Sequence, residues 1–328
     1  MTIAQSLLFL LAASSMSAVS VDAFCGSHPQ DAAAAMLANQ RTQRYIEQNS
    51  LPKIFAATGN VNIDVYWHLG SNATATSNIS NNDIQVAMNY MSAIYAKFTT
   101  FQFTVKGVDT FNNVSWFNPH VSTTNEEEYL LGEMKAALRK GGASTLNIYT
   151  VSEIALPGAS DTNFLGLAAF PSDYAAHPGQ DGVIMRASEV NKINSTTLAH
   201  EVGHWLGLYH TFQGGCSEPG DYVSDTPQQA AATDSSLCPL NQDTCPLDPG
   251  LDPVRNFMDY SMDSCQNNFT PGQIQRMQAQ WNLFRADNRT QTQPSSTPTP
   301  RKSGAAATTV SALLIGTAIL GALQFLAL

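Results

Sequence analysis

Charge is scarce in this chain. Only 13% of its 328 residues are Asp, Glu, Lys or Arg, about half the share usual in a soluble domain. Asn, Gln, Ser and Thr, with any sugar they carry, must therefore dress the surface. No basic block occurs: 16 Lys and Arg stand against 26 Asp and Glu, for a net charge of −10, which argues against a sequence-independent electrostatic grip on nucleic acid. Internal repeats are absent, and the apolar run near the start, Leu7 to Ala13, is too short to cross a bilayer. Aromatic residues are plentiful, with 15 Phe, 10 Tyr and 4 Trp, enough apolar area for a large core and a poor match to intrinsic disorder.

The length would allow two domains, but both ends subtract from it. Leu7 to Ala13 is followed by small residues at Ser14, Ser15, Ser17, Ala18, Ser20 and Ala23, the layout of a secretory signal peptide cut after Ser20 or Ala23. It has no Lys or Arg ahead of the apolar run, and a buried helix is the other reading. Thr290 to Pro300 is rich in Thr, Pro, Gln and Ser and reads as an extended stalk. Ser303, Gly304 and Ala305 follow, and then an apolar segment from Val310 to the last residue. Arg301 and Lys302 precede that segment and nothing basic follows it, so as a retained span it would leave the folded part in the cytosol, against the signal peptide. A removable lipid-attachment signal of the GPI type, with Ser303 as the attachment residue, resolves the conflict, although its polar spacer is short. The expected organisation is a signal peptide over 1–23, a catalytic domain over 24–285, a stalk over 286–302 and the attachment signal over 303–328.

Secretion also fits six acceptors for N-linked glycan, Asn72, Asn78, Asn113, Asn194, Asn268 and Asn288, each two residues before Ser or Thr. Four of the five cysteines, Cys216, Cys238, Cys245 and Cys265, crowd into one irregular segment, where disulfides substitute for a core. Their spacing leaves three connectivities open. Cys25 is left over.

Between the ends, Val61 to Trp67 and Phe101 to Val105 alternate as strands, and Leu146 to Val151, Leu165 to Phe170 and Val183 to Met185 read as further strands. Ile84 to Phe98 carries an apolar stripe at helical spacing, Glu126 to Lys140 reads as a second helix stopped by Gly141, and a third opens near Asn194. This order predicts a mostly parallel sheet with helices. After His210 the periodicity disappears until Thr270, Pro271 and Gln273 open a last helix through Met277 and Trp281.

The chemistry is concentrated after that third helix begins. His200 and His204 stand four residues apart, one helical turn, so both imidazoles can reach one ion, with Glu201 beside them. Gly207 can leave the helix with positive φ and return His210 to the same place. Three His with one open position form a catalytic zinc shell rather than a structural one. His28, His68, His120 and His177 lack such company and are expected at the surface or in turns.

The run from His200 to His210 resembles the metzincin zinc metalloproteases, and the wider string through Phe212 is similar to their pappalysin-type branch, peptidase family M43B, in its fungal secreted members. Gly215-Cys216, Gly220 to Val223, Asp225 to Pro227, Asp243 to Cys245, Asn256 to Tyr260 and Phe269 to Gln273 follow in that branch's order. The similarity extends over about Val61 to Trp281 and implies an α+β fold: a mostly parallel twisted sheet with an active-site helix in an upper subdomain, above an irregular, disulfide-stabilised lower one. It further implies Met258 as the Met-turn methionine, Tyr260 as oxyanion donor, Glu201 as general base, bridges Cys216–Cys245 and Cys238–Cys265, and a cleft-edge strand near Leu165 to Ala168. Cys25 would be a latency switch on the zinc, or else pair between molecules. Asp221, Asp225 and Thr226 would hold Ca²⁺, or else cap turns. The expected activity is zinc-dependent hydrolysis of peptide bonds in protein substrates at the cell surface. A silent or latent binding or adhesion protein on the same fold is the alternative, and Glu201 beside all three ligands favours the enzyme.

Overall fold

The computed structural model describes residues 27, 31–49, 59–71, 79–118, 126–154 and 164–287, excluding the side chains of 126–129. Cys25, Asn72, Asn78, Asn288, Ser303, His28 and His120, together with the signal segment over 1–23, all but the first two residues of the stalk over 286–302 and the anchor segment over 303–328, lie outside the described residues. All described residues belong to the unit Met1–Arg289.

Alternation makes the first strand. In β1 (Val61–Ser71), Ile63, Val65 and Trp67 are buried while Asn62 and Asp64 face water. It pairs in parallel with β2 (Phe101–Asn112) on one side and β3 (Leu146–Val151) on the other. β3 is buried along its whole length, as a strand covered on both faces must be. The sheet continues through β5 (Val183–Arg186), parallel to β3, and ends at β4 (Gly166–Ala168), the one antiparallel strand, in the order β2-β1-β3-β5-β4. Both outer flanking strands differ in length from the sequence pattern: β2 extends to Asn112, whereas β4 keeps only three of the six residues from Leu165 to Phe170.

Helices cover both faces. α2 (Asn81–Phe98) starts on a capping box in which the Ser80 hydroxyl accepts from the Asp83 amide and the Asp83 carboxylate accepts from the Ser80 amide, which satisfies two orphan donors of the first turn. With α6 (Thr197–Trp205) it packs Ile84, Met88, Met91, Leu198 and Val202 against Val65, Trp67 and Ile148. The opposite face carries α3 (Val114–Phe117) and α4 (Glu126–Leu138), which bring Phe117, Leu131 and Met134 onto Tyr149, Val151 and Ile184. Each such fully buried aliphatic or aromatic side chain contributes about 1.5–3 kcal/mol. α5 (Ala187–Val190) links β5 toward α6. The zinc-motif helix starts at Thr197 rather than near Asn194, because Asn194 sits at φ 59° and the Thr196 amide donates to the Asp263 carboxylate at 3.0 Å.

α7 (Pro271–Gln280) opens on the Thr270 and Gln273 capping box and runs on into a π-helical turn over Trp281–Arg285. An N-terminal helix, α1 (Ala32–Asn49), is not legible in the apolar pattern; it buries Ala35, Asn39 and Thr42, two of them polar. His68 is also corrected: it is 1% exposed, stacked on Tyr149 and 3.0 Å from the Asn147 amide oxygen, because β1 is covered on both faces beyond Trp67. Among the described residues no helix is long and apolar enough to cross a membrane.

Candidate metal centre and cleft

The end of α6 is built by hydrogen bonds. Leu208 donates its amide to Gly203 and Gly207 donates to His204, at 2.9 and 2.8 Å, the paired bonds of a Schellman motif with Gly207 at the residue after the cap. Gly207 adopts φ 95°, a conformation glycine takes without penalty. The chain then doubles back, and His210 faces the helix it has just left.

The three imidazoles converge. His204 Nε2 lies 3.1 Å from His200 Nε2 and 3.0 Å from His210 Nε2, and the three donors are buried. Zinc bound tetrahedrally at the usual Zn–N length spaces such nitrogens about 3.3 Å apart, so the residues present fit that ion. The second nitrogens set the tautomers. His200 Nδ1 donates to the Phe257 carbonyl and His204 Nδ1 to the Leu208 carbonyl, both at 2.7 Å. Carbonyls only accept, so the proton sits on Nδ1 and the Nε2 lone pair faces the centre. Burial pushes His200 down to about 4, and His204 and His210 also fall well below the ordinary imidazole range, burial being the largest cause in each. All three are neutral at pH 7, as a metal ligand must be.

Glu201 lies on the sheet side of α6, fully buried. A Cβ on Gly166 would stand 2.4 Å from its Oε1, so the carboxylate rests directly against the backbone of β4. Ser27 shares that space. Its hydroxyl donates to Glu201 Oε2 at 3.0 Å and accepts from the Ala168 amide at 2.7 Å, which places a residue of the N-terminal segment between the helix and the sheet edge. Nothing in the sequence pattern singles out Ser27. Its proximity to Cys25 is the only available signal.

Below the helix, Met258 is fully buried, and a Cβ on Gly203 would come within 2.5 Å of its sulfur. Glycine at that position lets the methionine press against the α6 backbone. The turn is held by Asn256, whose side-chain oxygen accepts the Met258 amide at 2.9 Å and whose amide donates to Gln273 at 2.8 Å. Tyr260 places its hydroxyl 3.1 Å from His210 Nε2, while Phe212 stacks on the His210 ring with centroids 4.8 Å apart. Gln229 ties the segment of the third ligand to this turn, accepting from Thr211 at 2.8 Å and donating to Asp259 at 3.1 Å.

Two buried arginines close the far side. Arg285 donates from Nε to the Trp205 carbonyl at 2.7 Å, pairs with Asp181 and lies over the Trp205 ring. Arg276 donates from Nε to the Gly207 carbonyl at 2.8 Å. Cations at a helix C-terminus also complement its dipole. Neither is legible in the sequence, since arginines on a terminal helix read as solvent-facing.

The lower region contains the bridges Cys216–Cys245 and Cys238–Cys265. A cavity of about 370 Å³ beside it is lined by Gln43, Asp221, Tyr222 and Thr226 among others. Gln228 Oε1 is buried there without a hydrogen-bond partner among the described residues, while the Thr226 side chain hydrogen-bonds the Asp221 carboxylate; Asp225, outside that lining, turns Oδ1 toward Gly272. Asp225 uses its other oxygen to accept the Gly272 amide in the first turn of α7, at 2.8 Å. Burial raises the Asp221 carboxyl to about 7. Of the glycan acceptors described, Asn194 is exposed and Asn113 and Asn268 are half-buried. His177 is exposed, as expected.

The peptidase M43 family model, described as pregnancy-associated plasma protein-A, matches residues 143–282. An extracellular metalloprotease of Pyricularia oryzae is 39% identical over 299 residues, covering 87% of this chain and 98% of the relative. One from Neurospora crassa is 39% identical over 249 residues, covering 71% of this chain and 79% of the relative. Among solved structures, a point mutant of promirolysin from Tannerella forsythia superposes with a TM-score of 0.57 at 22% identity, covering 79% of this chain and 94% of that one. Mature mirolysin in complex with a cleaved peptide gives 0.52 at 23%, covering 69% and 93%. These structures share the fold. With the convergent histidine triad, the near-complete coverage of fungal relatives places this chain in the pappalysin-type M43 family of metalloproteases.

Proposed function

We infer that the protein is a secreted zinc endopeptidase in which Ser27 stands between Glu201 and the β4 edge. The convergence of three buried Nε2 atoms, 3.0 and 3.1 Å apart, is the observation that carries this reading. His200, His204 and His210 would hold the ion, which when bound supplies a Lewis acid toward the scissile carbonyl and toward water. Glu201 takes the proton of the attacking water and passes it to the departing amine. Tyr260, whose hydroxyl stands at the edge of the triad, donates to the carbonyl oxygen as charge develops there. Met258 supports the ligands from below. An extended peptide lies along β4 by strand addition, with the backbone groups of the edge as its partners.

Substrate and Ser27 compete for the Ala168 amide and the Glu201 carboxylate. Cys25 lies two residues earlier, within about 7 Å of chain, which supports a role for its thiolate in latency. The Cys25→Ser protein is expected to be secreted already active; secretion with unchanged latency would assign the thiol to pairing between molecules instead. The buried oxygens of Asp221, Thr226 and Gln228 lining the adjoining cavity, with Asp225 next in the chain, support Ca²⁺ there, since oxygen donors of this kind are its ligands. A signal peptide over 1–23, a domain over 24–285, a stalk over 286–302 and lipid attachment at Ser303 would display the enzyme at the cell surface, with glycan on the exposed Asn194 and the other acceptors.

The test is hydrolysis of casein or gelatin by the processed protein, with and without a zinc chelator, beside Glu201→Ala. Hydrolysis lost in the chelated and the variant samples is expected. Equal hydrolysis in all three would remove the zinc-peptidase reading, and none even after N-terminal processing would favour a binding protein.

A further inference from the structure

The third ligand follows a turn that α6 holds from one side, through the Gly207 and Leu208 amides and His204 Nδ1. Beyond Leu206 the chain passes through Gly207 at φ 95°, and the next peptide decides two ligands together. The Leu208 carbonyl, which orients His204 through Nδ1, follows it by one residue, and His210 by three. A rotation of the peptide after Gly207 would move both.

α7 grips that turn from behind. Arg276 is 1% exposed and donates from Nε to the Gly207 carbonyl at 2.8 Å. One helical turn later, Gln280 packs so closely that a Cβ on Gly207 would lie 2.5 Å from its Cγ. The guanidinium is fixed in turn by the Asn39 side-chain oxygen, 2.6 Å from Nη2, and by the faces of Tyr209 and Tyr222 at 5.0 and 5.7 Å. Asn39 completes the circuit by donating to the Tyr209 hydroxyl at 3.0 Å, and Tyr209 is the residue directly before the third ligand. A buried cation is costly unless acceptors surround it, and the Gly207 carbonyl and the Asn39 oxygen are the acceptors that hold Arg276 here. Arg285 serves the helix end at Trp205, two residues upstream; Arg276 acts past the glycine, on the carbonyl side of the peptide whose amide, from Leu208, closes the helix by donating to Gly203.

We propose that Arg276 is a positioning residue for the metal-dependent reaction: by holding the Gly207 peptide it sets where His210, and through Leu208 His204, present their Nε2 atoms. This rests on the triad being a metal centre. Arg276 itself touches none of the ligands' imidazoles.

The experiment loads the purified full chain with Co²⁺, records its visible ligand-field bands, and follows metal loss to a chelator, with the thermal midpoint measured in parallel. Arg276→Lys keeps the charge but cannot place an Nε donor on Gly207. We expect altered band intensities, metal loss about tenfold faster, and kcat reduced by about tenfold at nearly constant KM, in the range of disrupted outer partners of metal ligands. A variant whose melting point falls while its spectrum and metal-loss rate match the wild type would overturn the proposal and leave Arg276 a packing group. Should Arg276→Lys not fold, Asn39→Ala frees the guanidinium but also loses the bond to Tyr209, so Tyr209→Phe, which affects that bond and not the Asn39 oxygen on Arg276, is the control; metal loss about threefold faster in Asn39→Ala than in Tyr209→Phe is expected, and equal rates overturn the proposal equally. Wild-type protein that takes up no Co²⁺ would instead remove the metal centre, and this role with it.

Discussion

A single methyl group on Gly166 would collide with the Glu201 carboxylate, 2.4 Å from Oε1. Gly166→Ala must therefore push either the carboxylate or the edge strand, and a displaced catalytic group is costly even when the shift is near 1 Å. We expect kcat/KM to fall by about 100-fold with a melting point little changed; activity within a factor of two of wild type would show that Glu201 has room to spare. Tyr260→Phe removes one donor from the edge of the triad and is expected to lower kcat by about 100-fold while leaving KM nearly constant, as removal of an oxyanion donor does. Steady-state kinetics on one peptide would separate this from a substrate-binding role, which would raise KM instead. At this scale the sequence is legible where spacing alone fixes geometry. Histidines four apart share a helix face, and a glycine three residues later permits the return. Arg276 and His68 are not legible, because their burial is decided by α1 and by β3, far away in the chain.

Among the elements, α4 carries an unusual burden. Lys135 is 6% exposed, donates to the Gln180 carbonyl at 3.0 Å, and is lowered to about 8, chiefly by burial, with Asp181 opposing. Its folded value lies below the ordinary lysine value near 10.4, so the charged form is penalised in the native state. Between pH 8 and 10 the native protein has released this proton while the unfolded chain still holds it, and stability gains with rising pH, by up to about 3 kcal/mol. Lys135→Met should therefore be more stable than wild type near pH 7, the gap closing as pH approaches 10. Denaturant melts of both proteins at three pH values would test this, and a gap independent of pH would refute it. Amphipathic strands and the Thr270 cap can be read from pattern, because a local rule determines each. The length of β4 cannot, since an edge strand ends where its one neighbour stops pairing. α1 is hidden for a related reason: Asn39 and Thr42, its contacts with α7, are polar residues that no apolar stripe announces.

For the molecule as a whole, one half is built from a sheet and the other from cross-links. The loops closed by Cys216–Cys245 and Cys238–Cys265 span 29 and 27 residues and overlap in sequence. Loop closure of that length is worth about 3–4 kcal/mol in chain entropy. Cys238→Ser with Cys265→Ser is accordingly expected to lower unfolding stability by about 3 kcal/mol and, because Cys265 follows Met258 closely in the chain, to loosen the metal centre too. Thermal melts with metal content measured after dialysis would check both parts. Retention of metal at unchanged affinity would mean that the turn at Met258 is held by Asn256 and Gln273 alone. If Ca²⁺ occupies the cavity near Asp221, its chelation should lower the melting point further in the wild type, by RT ln(1 + [L]/Kd), and should have no effect after Asp221→Asn if that residue is a ligand.

Ser27 is joined to the same polypeptide as the groove it fills, so its local abundance is not set by how much protein is present. A group tethered within one chain acts at an effective concentration of about a millimolar. If substrate takes the place of Ser27, free peptides that bind more weakly than this lose the contest regardless of their sequence, and a specificity panel run on the full chain would rank how readily Ser27 lets go rather than what the cleft prefers.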